Sequence, residues 1–358
     1  MSIPLLQSVR ARRPRRGIHG FTLIEVMVAL AIGMVIMLAL TTMFSRSTSN
    51  HSELERTARQ LEGARFSLDT LTEDIMHAGY FGEFNPNTLL PAPPPPASYT
   101  TPDPCATTLT TQGWDTTVSP VRMPAPIQGI AAGAAVACLA NRRANTEAVV
   151  VRRADTGDAI TFAGGNTTNL YLQISRCPAQ ISTQPLVAAA VPAASPQTTF
   201  NRTMPDCVTV NDRIRRLTQR TYYIATCNDC SAADGIPTLK RVEMIDGELR
   251  TVSVAEGVEN LQVEYGLDTD VAPGDGRPNS FRTIGSGVIN GTLPNVWGNV
   301  VAARVHLLTR STEVTPGFVD ARTYQLGPDI AITPDADRFK RTLMTSTVRL
   351  VNVGMRRE

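Results

Sequence analysis

Aromatic side chains are scarce, at 5% of 358 residues, and histidine occurs four times. His19, His51, His77 and His306 are scattered, so neither a Ser/His/Asp nor a Cys/His arrangement can be assembled from the sequence. Nothing in the pattern points to an enzyme. Basic surplus is also missing from most of the chain. Five of the 34 Lys and Arg residues (Arg10, Arg12, Arg13, Arg15, Arg16) stand in the first twenty positions, which contain no acid. The remaining 29 bases face 32 acids, a net charge of −3 that argues against nucleic acid as the main partner. With 42% hydrophobic and 18% charged residues the chain is neither disordered nor polytopic. Gly and Pro, 25 each, suit a loop-rich β body better than a helical bundle.

One long apolar run is present, Phe21 to Leu40, with Glu25 as its single charge. As a helix these residues reach about 30 Å, the thickness of a bilayer core. Arginines before the run and a polar chain after it orient the N-terminus to the cytoplasm and the bulk outside. A cleaved secretory signal has a shorter core followed by small residues at a cleavage site. Thr41, Thr42, Met43 and Phe44 follow here instead, and the polarity changes abruptly at Gly20–Phe21.

A carboxylate among apolar residues costs a few kcal/mol in hydrocarbon unless it snorkels, is paired or is functional. A cut between Gly20 and Phe21 would place a new α-amino group four residues from Glu25. A neighbouring subunit's amine could then neutralise it, making Glu25 an assembly device. Gly20-Phe21-Thr22-Leu23-Ile24-Glu25 resembles the class III signal of type IV pilins and of type II secretion pseudopilins. The resemblance implies cleavage after Gly20 by a prepilin peptidase, N-methylation of Phe21 and assembly through Glu25. Major pilins usually carry a helix-bending proline near the far end of the apolar run; Thr41 and Thr42 stand there, which favours a minor subunit.

The stretch Gly63 to Gly82, the segment Thr221–Val242 and the C-terminal Phe339 to Asn352 are similar to the PilW family of minor pilins. That resemblance implies an α+β pilin-like fold, a long N-terminal helix on an antiparallel β-rich body with disulfide-stapled loops. The expected organisation is a cleaved basic leader at 1–20, a membrane and assembly helix at 21–44, an amphipathic helix at 45–84, a Pro-rich irregular excursion at 85–146 and a periplasmic β body at 147–358.

Leu54, Ala58, Leu61, Ala64, Leu68, Leu71, Ile75 and Ala78 recur at spacings of three and four, one stripe on a helix. Ser45 to His51 reads as a weak joint, Gly79 as the helix stop, and Glu73–Asp74 as exposed. Pro91, Pro93–Pro96, Pro102 and Pro104 exclude helix and central strand, and residues 188–196 read as a second irregular loop. Strands are expected at Glu147–Arg153, Asn169–Ser175, Thr221–Thr226, Leu239–Ile245, Glu248–Val252, Val258–Leu267, Val300–Thr309 and Thr342–Val353. The turn Asp246-Gly247 joins the fourth and fifth.

Six cysteines (Cys105, Cys138, Cys177, Cys207, Cys227, Cys230) suit disulfides in an oxidising compartment. Six cysteines allow fifteen connectivities, among which the sequence does not choose. Near-neighbour pairing (Cys105–Cys138, Cys177–Cys207, Cys227–Cys230) is the expectation, since each bond would close one irregular excursion. Cys227-Asn-Asp-Cys230 has the spacing of redox pairs, but its flanks read as strands, which favours a structural crosslink. Asp268, Asp270 and Asp275 lie among glycines and are weak calcium candidates; Ala272 and Pro273 break the EF-hand spacing. Arg213, Arg215, Arg216 and Arg220 read as a solvated face or as partners of acids rather than as contacts to DNA phosphates.

The expected function is a minor pilin that primes and builds the type IV pilus for motility or adhesion. No cofactor is expected apart from the calcium candidate. Its partners would be other minor pilins, the major pilin, prepilin peptidase, the inner-membrane assembly platform and the membrane. The alternatives are a type II secretion pseudopilin and, from another class, a membrane-tethered thiol oxidoreductase.

Overall fold

A computed structural model describes residues 20–82, 102–117, 121–181, 183–271, 274–284, 297–328, 330–355 and 357. The leader and the Pro91–Pro96 run lie outside these residues. The chain divides into two compact units at residues 55/56.

The first helix, α1 (Leu23–Met76), contains the apolar run and has the length and composition to cross a membrane. Its hydrogen bonding continues through 45–51, where a weak joint was expected. Thr41, Thr42 and Thr48 bond back to carbonyls three and four residues earlier, so their hydroxyls are satisfied within the helix itself. Within the second unit the stripe is buried only from Ala64 onward, through Leu71, Ile75 and Ala78; Leu61 remains exposed. Gly79, at φ +74°, ends the helical segment in the left-handed region as expected of a cap.

The body is built from β1 (Ile127–Ile130), β2 (Ala148–Ala154), β3 (Ile160–Thr161), β4 (Tyr171–Ile174), β5 (Leu186–Ala189), β6 (Arg213–Ala225), β7 (Thr238–Ile245), β8 (Glu248–Glu256), β9 (Val258–Leu267), β10 (Ser280–Arg282), β11 (Val300–Arg310), β12 (Tyr324–Gln325), β13 (Ala331–Ile332) and β14 (Arg341–Arg349). Eight strands form one sheet around β6, whose first half pairs with β3 and β4 and whose second half pairs with β2 and β7. Four more form a second sheet in the order β10-β9-β11-β14, and the recorded pairings are antiparallel. The architecture is α+β, with the long helix and β-rich body expected of a pilin-like chain. The β7–β8 hairpin turns at Asp246 and Gly247, both at positive φ, as a type I′ turn requires.

One core joins the helix to both sheets. Leu71, Ile75 and Ala78 meet Ile127, Val149, Val151, Tyr222 and Ile224 of the large sheet and Leu261, Val263, Tyr265, Val305 and Leu307 of the small one. The strand β9 is buried throughout, although its alternation of Leu261, Val263 and Tyr265 with Asn260, Gln262 and Glu264 suggests one wet face. Gln262 and Asn260 donate to the Asn145 carbonyl, and Glu264 meets Arg304 and His306, so the polar face is engaged within the body, with only the Gln262 Oε1 left unbonded among these side chains.

Four expectations need correction. Residues 85–146 are not wholly irregular: β1 lies within them, and Trp114 is buried edge-on against Phe81 at 5.4 Å. The irregular loop at 188–196 overlaps β5, which pairs with β4. The last strand stops at Arg349, because Val353 turns into the core on a short helix, Val351–Gly354. Finally, Asp74 is buried, as described below.

Candidate functional site

Gly20, Phe21 and Thr22 are non-helical, and Phe21 is 85% exposed. The Gly20–Phe21 bond is therefore non-helical and exposed, immediately ahead of the helix. Thr22 is the N-cap residue. Its Oγ1 accepts from the Glu25 N–H at 3.3 Å, while Glu25 Oε2 accepts from the Thr22 N–H and hydroxyl at 2.8 Å each. This is a capping box, in which two otherwise orphaned N–H groups satisfy one another's acceptors. Both donations fall on Oε2, so Oε1 is the oxygen left for an incoming cation. The negative charge also faces the positive end of the helix dipole. Further along, Ala29 and Gly33 open a shallow apolar groove bordered by Leu30, Met34, Met37, Leu38 and Thr41. Small residues at this spacing let a second helix approach closely.

The far end of α1 is tied down by charge. Asp74, 4% exposed, accepts from Arg153 Nε at 2.7 Å, Arg220 at 3.1 Å and the Tyr222 hydroxyl at 2.9 Å. Arg220 also bonds Glu243 at 2.9 Å, and Glu243 receives Arg241 at 2.7 Å. Burial, and then the Asp74 carboxylate, push the Tyr222 phenol well above its ordinary value. Glu73 keeps the exposed position expected of the pair; Asp74 does not, because it falls on the buried face with Leu71 and Ile75.

The arginine run is consumed within the body. Besides Arg220, Arg215 donates to the Asp155 and Gly157 carbonyls, Arg216 to the Met244 carbonyl and Arg213 to that of Ala159. His306, expected to stand alone, has Nε2 2.8 Å from Glu264 Oε1 and Nδ1 2.9 Å from Thr345 Oγ1. Its register places it directly opposite Thr345 on β14. The string has the residue types of a catalytic triad, but His306 is 6% exposed between three strands, so it serves as a cross-strand tie.

Asp268, Asp270 and Asp275 come together, with one oxygen of each within 4.8 Å of the others. Such a donor set suits a hard cation. Asp268 is nevertheless already engaged: its carboxylate accepts from the N–H groups of Asp270 and Gly276 and lies 3.3 Å from Arg357. Gly274 is required here, since a Cβ would come 2.3 Å from Asp268 Oδ2.

The structure pairs Cys105 with Cys138, Cys177 with Cys207 and Cys227 with Cys230, the near-neighbour arrangement. Closing loops of some thirty residues restricts the unfolded chain by nearly 4 kcal/mol each, against about 2 kcal/mol for a four-residue ring.

Two family models match the chain. Residues 221–352 match the family described as Type IV Pilus-assembly protein W, and residues 15–41 match the prokaryotic N-terminal methylation motif. No curated protein and no solved structure matches it. The first match runs from the second half of β6 to the terminal helical turn, and the second covers the capped start of α1. Together the two matches, one on the methylation-type head of the apolar helix and one on the C-terminal part of the β body, support placing the chain with the PilW family of type IV pilus assembly proteins.

Proposed function

We propose that the chain is a minor pilin precursor. Prepilin peptidase cuts it between Gly20 and Phe21, Phe21 is N-methylated, and the apolar half of α1 enters the helical core of the filament. The body lies in the periplasm, where it helps prime assembly with other minor pilins before the major pilin is added. The role is structural rather than catalytic.

The observation that carries this reading is the placement of the Gly20–Phe21 bond, exposed and non-helical, two residues ahead of a helix whose carboxylate is oriented by Thr22. Once cut, the chain presents an amine with an ordinary pKa of roughly 7.7–8.0, positively charged at neutral pH. A neighbouring subunit's amine can reach Glu25 Oε1, and neutralisation in the apolar layer favours the staggered arrangement over an isolated helix.

Mass spectrometry of the mature N-terminus tests the assignment. The expected species begins at a methylated Phe21, and Gly20→Trp leaves the full-length precursor in the membrane. Normal processing of Gly20→Trp would overturn it. Copurification with secretion pseudopilins instead of pilus subunits would transfer the same chemistry to a secretion apparatus.

A further inference from the structure

The Cys227–Cys230 bond differs from the other two disulfides in its surroundings. The loop it closes is organised without it. Asp234 accepts from the N–H groups of Asn228, Asp229 and Ile236, and Asp229 accepts from those of Ser231 and Ala232. The bond is also the shortest crosslink, three positions in sequence against 30 and 33. It therefore adds the least order of the three.

A lysine ammonium stands at one of its sulfurs. Lys240, on β7 and 8% exposed, donates to the Asn228 carbonyl at 2.9 Å and lies 3.5 Å from Cys230 Sγ. Among the described residues, the other disulfides have the Cys138 N–H donating to Cys105 Sγ and the Pro205 carbonyl 3.8 Å from Cys207 Sγ, with no cation at either sulfur. Cys230 is half-buried, whereas Cys227 is 7% exposed with the Thr226 hydroxyl beside it. The more exposed cysteine of the pair is thus the one whose sulfur faces the cation. Asp229, Asp234 and Glu256 also surround the loop, and their charges oppose a sulfur anion; Lys240 alone among these charged groups touches a sulfur.

We propose that Cys227–Cys230 is a redox-exchangeable disulfide that accepts two electrons from a dithiol, with Lys240 stabilising the sulfur anion at Cys230. A thiolate of the dithiol attacks Cys230 Sγ and forms a mixed disulfide. The Cys227–Cys230 bond breaks, and Cys227 leaves as a thiolate that takes a proton from water. The second thiol of the dithiol, deprotonated, then attacks its own partner sulfur and expels Cys230 as a thiolate against the ammonium. The dithiol ends as a disulfide and the chain as two thiols. A cation at the leaving sulfur favours both the last step and the reduced product.

The test equilibrates the oxidised full chain in detergent with graded ratios of reduced to oxidised dithiothreitol. Thiols are trapped with iodoacetamide and read by peptide mass spectrometry, with circular dichroism as the folding control. Cys227 and Cys230 should be labelled first, at a ratio about tenfold lower than either long-loop pair requires, with the spectrum unchanged. Lys240→Met should shift that ratio about tenfold toward the disulfide, and Lys240→Arg should restore most of it. Labelling of Cys227 and Cys230 only together with the other four cysteines, on unfolding, would overturn the proposal whether or not the variants fold. An unchanged ratio in a folded Lys240→Met chain would overturn the role of the ammonium.

Discussion

Arg153 donates from Nε to Asp74 Oδ1 at 2.7 Å, joining the middle of the large sheet to the last turns of α1. The bond is made out of water, with the two side chains 11% and 3% exposed. Asp74→Ala leaves Arg153 and Arg220 buried without their shared partner. The expected loss is about 3–5 kcal/mol, far more than for an exposed helix carboxylate. Chemical denaturation of the full chain in detergent, beside Glu73→Ala as the exposed neighbour, measures it. Equal effects of the two substitutions would refute the anchor.

The capping contact made by Glu25 and the assembly role proposed for it are separated by a pair of substitutions. Glu25→Gln keeps an acceptor for the Thr22 N–H and removes the charge, whereas Thr22→Val removes the hydroxyl of the cap and keeps the charge. Losing a cap costs about 1 kcal/mol at a helix end. Incorporation into sheared filaments, read by immunoblot against the membrane fraction, should fall for Glu25→Gln and persist for Thr22→Val. The reverse order would reduce Glu25 to a capping residue.

Glu147, 2% exposed, accepts from the Val263 N–H at 2.9 Å and links the start of β2 to β9. Burial pushes its carboxyl up to about 7, against the opposing pull of that hydrogen bond and of Arg142. A raised folded-state value means that stability from this group is full below pH 4.5, its ordinary value, and is lost as pH rises through about 7. Glu147→Gln should abolish that loss. The variant should match the parent near pH 4.5 and exceed it at pH 8 by on the order of 3 kcal/mol. Parallel denaturation curves at the two pH values decide the matter; a constant difference would mean that Glu147 does not titrate in this range.

Calcium removal should not move the melting temperature. A site of ~1 μM affinity in ~1 mM calcium would stabilise the fold by about 4 kcal/mol. Asp268 already meets Arg357 and two N–H donors, so no such gain is expected. A rise in melting temperature on adding calcium, lost in Asp270→Asn, would promote Asp268, Asp270 and Asp275 to ligands.

Elements with strong local signals were readable from the sequence. Val258–Leu267 and Val300 to Arg310 are long and apolar enough to announce central strands, and Asp246-Gly247 announces its hairpin. The first half of β6 is concealed because Arg213, Arg215 and Arg216 look like a surface run until the carbonyls that hold them are known. Asp74 is unreadable for a similar reason: its partners lie 79, 146 and 148 residues away, and beside Glu73 it looks like any solvated acid. His306 and Glu264 are likewise joined only by sheet register. The capping box, by contrast, is written in plain view as Thr22-x-x-Glu25; the unusual charge in an apolar run draws attention away from it.

The clustering of Arg153, Arg220 and Tyr222 on one carboxylate has a mechanical meaning. In the filament role proposed above, a pull along α1 would reach the β body over the stretch from Ala64 to Ala78. There the force is divided between apolar packing and three bonds converging on Asp74, which act side by side and not one after another. Such an arrangement resists shear until several contacts fail together, so the grip should give way at a sharp threshold instead of unravelling turn by turn.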